Sequence, residues 1–92
     1  MDKLLFVILL EKRKPFDADV IARHVGYLRN LDANGHLVLC GPFVDYPGGM
    51  VIIRAASYGG AEVVCQSDPF VADGYETYVV RTLEVADKAT GY

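Results

Sequence analysis

Seven consecutive apolar residues, Leu4 to Leu10 (LLFVILL), stand between Lys3 and Glu11, and no other stretch restricts the fold as strongly. A short apolar run bounded by charges reads as a buried strand. A membrane-spanning helix needs ~20 such residues, and an export signal needs a longer processed region. A strand with one wet face alternates apolar and polar side chains, and this one does not alternate. Both faces of its sheet are therefore expected to be covered.

The remaining chain supplies the cover for one face. Pro15 breaks the strand pattern, and Asp17 or Asp19 can cap the helix that follows. From Asp19 to Ala33 the spacing is helical, with Ile21, Val25 and Leu28 on one stripe and Val20, His24, Tyr27 and Leu31 beside it. Gly35 is the expected left-handed stop. A second strand, HLVLCGPFV, is interrupted by Gly41-Pro42, which places it at an edge or a bulge. The turn DYPGG leads to a third strand, MVIIRAAS, and then to a short, weak helix, YGGAEVVCQ. SDPFVADG reads as a loop, because a residue before proline leaves the helical region. YETYVVRTLEV alternates as a fourth strand, and ADKATGY reads as a frayed tail.

The order β-α-β-β-α-β is the ferredoxin-like arrangement, an α+β fold with both helices on one face of a four-stranded antiparallel sheet. It accounts for residues 1–92 as a single domain. The uncovered face then calls for a second copy, and a homodimer is expected. A chain of 92 residues buries only about 60–65% of its unfolded surface, which also favours association.

Charge excludes some functions. The net charge is −3, and the only basic run is Lys12-Arg13-Lys14. That run reads as a solvated turn, so no nucleic-acid partner is expected. Cys40 and Cys65 fit no metal or CxxC spacing. They read as two reduced thiols packed as small hydrophobes, which suits a cytoplasmic protein with no metal and no cofactor.

Two residues stand out chemically. In CQSDPF, Asp68 precedes Pro69 and Phe70, and it is either the end of a helix or a working carboxylate on a stiffened loop. The first and third strands are taken as parallel and the two helices as pointing the same way. His24, taken to lie in the later half of the first helix, then comes level with Asp68 just past the second. A carboxylate on one imidazole nitrogen fixes the tautomer, supports the imidazolium and frees the other nitrogen to move protons. The plain alternatives are a packed core histidine and ordinary Asp-Pro turn chemistry. His36, opening a strand after a helix stop, is expected to be exposed.

Five segments taken in order, ARHVGYLRNL, GHLVLCGPFVD, GGMVIIRA, SDPFVADG and YVVRTLEV, resemble the YCII-related proteins over nearly the whole chain. The resemblance implies a dimeric α+β barrel of two ferredoxin-like sheets packed face to face, similar to the muconolactone isomerase and stress-responsive barrel groups. It also implies an active site around a His–Asp pair. The histidine maps onto His24, since Tyr27-Leu28 follow at the family's interval, and the aspartate onto Asp68. Gly41 and Pro42 match the family's GPF and would shape the pocket wall. One branch of the family removes HCl from a chlorinated hydroxyhydroquinone in aromatic degradation.

The expected function is therefore that of a small enzyme without cofactor. Its reaction is proton transfer with elimination or isomerisation on a hydroxylated or chlorinated ring or a lactone. His24 and Asp68 would be catalytic, and Lys3, Arg54 or Arg81 would stabilise the developing anion. Tyr27, Phe43, Phe70 and Tyr78 are candidates for an apolar wall. The competing readings are a non-catalytic metabolite-binding or accessory dimer module, and a monooxygenase that needs no cofactor.

Overall fold

The computed structural model describes residues 3–92. In chain order the elements are β1 (Leu4–Lys12), α1 (Ala18–Ala33), β2 (Leu37–Pro42), β3 (Gly48–Ile53), α2 (Tyr58–Ser67), α3 (Pro69–Ala72) and β4 (Glu76–Glu84). The four strands form one sheet in the order β2-β3-β1-β4, with every neighbouring pair antiparallel. This is the expected ferredoxin-like fold, with one added turn of helix. The stretch read as a loop after Asp68 forms α3, because proline is tolerated at the first helical position, where its missing N–H would be unbonded anyway.

The strand directions differ from the expectation. β1 runs antiparallel to β3, with Ile8 opposite Val51. A helix returning from β1 and one returning from β3 therefore run in opposite directions. His24 is also the seventh of sixteen residues in α1, within its first half rather than its later half. The two corrections compensate, because the C-terminal end of an antiparallel α2 arrives beside the N-terminal half of α1. His24 and Asp68 meet for that reason.

Alternation sorts the sheet into two faces. Phe6, Ile8 and Leu10 of β1, Val51 and Ile53 of β3 and Val80 of β4 are buried beneath the helices, with Ala61 and Cys65 of α2 above them. The opposite face carries Val7, Leu9, Ile52, Val79 and Leu83, and it stays partly or fully exposed in the single chain. Leu39 and Val79 on that face are 50% and 44% exposed. The continuous apolar run of β1 thus feeds the helix-covered core with one parity and an unpartnered apolar face with the other.

Local signals fix the helices. Asp17 caps α1 by accepting from the Val20 N–H at 2.8 Å, and its other carboxylate oxygen accepts from the Tyr75 hydroxyl at 2.7 Å. Both bonds hold the Asp17 carboxyl below its usual range. Ser57 caps α2 through the Gly60 N–H, and Gly35, at φ 77°, ends the α1 turn as its sequence suggested. Gly48 is dictated by a close approach, since a side-chain carbon there would overlap the Leu10 carbonyl across the sheet. The tail is not frayed: Asp87 pairs with Lys3 at 2.7 Å and closes a turn with Thr90. Lys12 belongs to β1; Lys12, Arg13 and Lys14 are all exposed, and the Lys12 and Lys14 ammonium groups lie over the Phe16 and Tyr75 rings.

Candidate active site

Asp68 serves as both a helix terminus and a partner for histidine. It stands between two helices, ending α2 through its backbone N–H to the Cys65 carbonyl and starting α3. Its Oδ1 accepts from the Phe70 N–H at 2.9 Å, and the same oxygen lies 2.8 Å from His24 Nδ1. An ionised carboxylate only accepts, so Nδ1 carries the proton of that bond. Nε2 is then the ring atom free to take or give a proton. Both side chains are well buried, at 13% and 7% exposure. Proline after Asp68 holds it in extended backbone, φ −67° and ψ 127°, which lets one carboxylate cap the short helix and reach across to α1.

An aromatic stack orients the imidazole. The Phe70 ring lies 3.8 Å from the His24 ring and 4.2 Å from the Phe16 ring, nearly parallel to both. Phe16 thus backs Phe70, and Phe70 backs His24. One residue along α1, Arg23 bridges to Asp73 just after α3, at 2.7 Å. That pair is exposed and screened by solvent, so it adds little to stability. Its role is to keep α1 and α3 in register.

The histidine lines a cavity of about 480 Å³ between α1 and the β2–β3 side of the sheet. Ile21, Val25 and Leu28 of α1 form one wall, and Leu10, Met50 and Val51 of the sheet form another. Gly41, Pro42 and Phe70 line it as expected. Ile21 and Val25 are 43% and 37% exposed, because α1 stands away from the sheet edge and leaves the space open. Cys40 also lines this cavity and is exposed, which corrects its reading as a packed hydrophobe. It lies on the edge strand β2, opposite Val51, where the cavity leaves it open. Cys65 is buried as expected, and burial pushes its thiol up to about 12.

The other expected site residues lie elsewhere. Lys3 sits at the far end of β1 from Leu10, about 20 Å along an extended strand, and is paired with Asp87. Arg54 follows β3 toward that same end and is exposed. Arg81 pairs with Val7 on the face away from the helices. No cation among these three lines the His24 cavity. Tyr27 donates its hydroxyl to the Val64 carbonyl at 2.8 Å and ties α1 to α2. Tyr78 bonds Glu62 and Gln66 of α2. Phe43 packs edge-on to Tyr46 beside Arg81 in a second cavity, on the uncovered face.

One lining residue was not anticipated. Glu76, the first residue of β4, is 5% exposed, and its Oε1 is enclosed without a hydrogen-bond partner. Burial raises its carboxyl above the usual range; Asp68 adds to the rise, while His24 and Lys12 oppose it. The signal was present in the sequence, since Glu76 shares the inward parity of Tyr78 and Val80. Among the described residues, no group of three or more His, Cys, Asp or Glu side chains is placed to hold a metal ion, and no helix is long and apolar enough to cross a membrane.

The YCII-related domain model matches residues 4–84, from the start of β1 to the end of β4. The chain belongs to the YCII-related domain family. A curated relative, the uncharacterized protein YjpA of Bacillus subtilis (strain 168), is 30% identical over 76 residues, covering 83% of this chain and 89% of that protein. Two solved structures share the fold. One is the 5-chloro-2-hydroxyhydroquinone dehydrochlorinase TftG of Burkholderia phenoliruptrix AC1100, in complex with 2,5-dihydroxybenzoquinone. It superposes with a TM-score of 0.69 at 23% identity, covering 92% of this chain and 97% of that one. The other is muconolactone isomerase, with a TM-score of 0.71 at 14% identity and 86% coverage of each chain.

Proposed function

We propose that this YCII-related protein is a small enzyme that moves protons on an oxygenated six-carbon ring or a lactone, using its own side chains. The observation that carries the reading is the 2.8 Å bond from His24 Nδ1 to Asp68 Oδ1 at the wall of an apolar cavity. The cavity volume, about 480 Å³, suits a small ring, since ligand pockets run about 300–1,000 Å³. The two fold neighbours support the class, because both act on small molecules of this kind.

The chemistry follows from the dyad. A phenolic ring in its keto form has an acidic C–H beside the carbonyl. Nε2 of His24 takes that proton and the carbonyl becomes an enolate. In an elimination, the enolate pair forms a new double bond while chloride leaves with the C–Cl pair. The imidazolium then releases its proton, so the net loss is one HCl. In an isomerisation, the imidazolium returns the proton to a different carbon. Asp68 stabilises the charged histidine between the two transfers, and the Phe70 stack keeps the ring from turning. The protein is expected to act as a dimer, with the uncovered sheet faces packed together.

The direct test offers 5-chloro-2-hydroxyhydroquinone and muconolactone to the purified protein, following chloride release and lactone absorbance. Turnover of either, lost by two or more orders of magnitude in His24→Ala, is the expected result. Turnover unaffected by that substitution would overturn the dyad. Binding of both compounds without turnover would make the protein a metabolite-binding module.

A further inference from the structure

The catalytic reading leaves one part of the reaction without a residue. An enolate needs a group to hold its oxygen, and Lys3, Arg54 and Arg81 do not line the cavity. The lining holds one basic ring, His24, and one carboxyl, Glu76. Asp68 is committed to His24 and the Phe70 N–H. Glu76, by contrast, makes no side-chain hydrogen bond among the described residues, although it is almost fully buried.

A buried carboxyl with no partner is a poor place for a charge. An ionised oxygen enclosed without a donor gives up its hydration and receives nothing in return. Lys12, the cross-strand neighbour of Glu76, does not neutralise it by contact, because its ammonium lies over the Phe16 ring. The protonated form is the one that suits this site, and a protonated carboxyl can donate. A buried acid kept neutral in order to donate to a developing oxyanion is an established catalytic device.

We propose that Glu76 is the oxyanion-side acid of the cavity: its neutral carboxyl donates a hydrogen bond to the carbonyl oxygen of a ring substrate while His24 removes the adjacent proton. The proposal rests on the reading of the cavity as a proton-transfer site. It narrows the substrate to a ring bearing a carbonyl or hydroxyl oxygen next to the reacting carbon, so that one molecule spans both groups. The atoms balance simply: the acid shares its proton with the enolate oxygen and recovers it when the carbonyl re-forms.

Glu76→Gln keeps the shape and a donor N–H₂ but cannot ionise, and Glu76→Leu removes the donor. The groups facing Glu76 are His24 on α1, Asp68 at the α2–α3 junction and Lys12 on β1. In the wild type, activity should fall as the pH rises and Glu76 loses its proton. That fall should be absent from Glu76→Gln. Glu76→Leu should lose ten-fold or more in kcat/KM and in affinity for 2,5-dihydroxybenzoquinone measured calorimetrically.

Stability gives a second readout that needs no substrate. The native state of a carboxyl with a raised pKa binds more protons than the unfolded chain does in the window between its unfolded and folded values. Stability therefore falls as pH rises through that window, and the loss persists above it. Glu76→Gln should be more stable than the wild type above this window and lose the advantage below it. A Glu76→Gln protein with an unchanged activity profile and an unchanged pH dependence of melting would overturn the proposal. If His24→Ala retains full turnover but the Glu76 effects on binding and melting persist, the dyad reading fails and the Glu76 assignment survives as a ligand contact.

Discussion

Replacing Asp68 by asparagine separates the two roles that one oxygen performs. In the native protein Oδ1 accepts from the Phe70 N–H at 2.9 Å and from His24 Nδ1 at 2.8 Å. Asparagine keeps an acceptor in that position, so both contacts can persist; the charge is lost. Hydrogen bonds to charged groups contribute about 1.5–3 kcal/mol and neutral ones about 0.5–1.5, so two such bonds weaken by about 2–3 kcal/mol together. At about 4–8 °C per kcal/mol for a domain of this size, the melting temperature should fall by roughly 8–24 °C. Activity should suffer more. Without the carboxylate, nothing stabilises His24 as it accepts the proton, and a loss of about 10²-fold or more in kcat is expected. His24→Ala should cost about as much, and the double substitution little more, since the two act as a unit. Thermal melting and turnover on the same preparation are the assay. A destabilised but fully active Asp68→Asn would refute the dyad and leave Asp68 a helix cap alone.

Two further outcomes follow from burial. The apolar face carrying Leu9, Leu39, Val79 and Leu83 should drive dimer formation at micromolar concentration; sedimentation equilibrium should show a dimer that Val79→Lys dissociates, and a folded wild-type monomer would exclude the barrel assembly. Cys40 should react with a thiol reagent at pH 8 in the folded protein, while Cys65, its thiol pushed up to about 12 by burial, should react only after denaturation; equal native reactivity of both would contradict the packing around Cys65.

The chain's own order made the fold legible. Pattern periods of two and 3.6, with Gly35 and Pro15 as punctuation, sufficed for four strands and two helices. What failed was direction. Taking the first and third strands as parallel placed His24 and Asp68 side by side through two errors that cancelled. The short helix α3 was missed because the dipeptide Asp-Pro signals a break and a helix start equally well, and only the bond from the Phe70 N–H decides between them. The candidate cations stand outside the His24 cavity for a related reason. Lys3, Arg54 and Arg81 were chosen by charge, but the side of the sheet and the end of the strand on which a side chain stands depend on register.

The sequence by itself determined the alternating faces of the sheet and the start and stop of the first helix, because these depend on neighbours within a few positions along the chain. Only the tertiary structure decided that Asp68 bonds across 44 residues to His24, that α1 stands off the edge strand to leave a cavity, and that Glu76 is enclosed beside it without a partner. Burial and distance arise from elements meeting in space. The charge state of a carboxyl and the access of a histidine to substrate follow from that meeting rather than from local spacing.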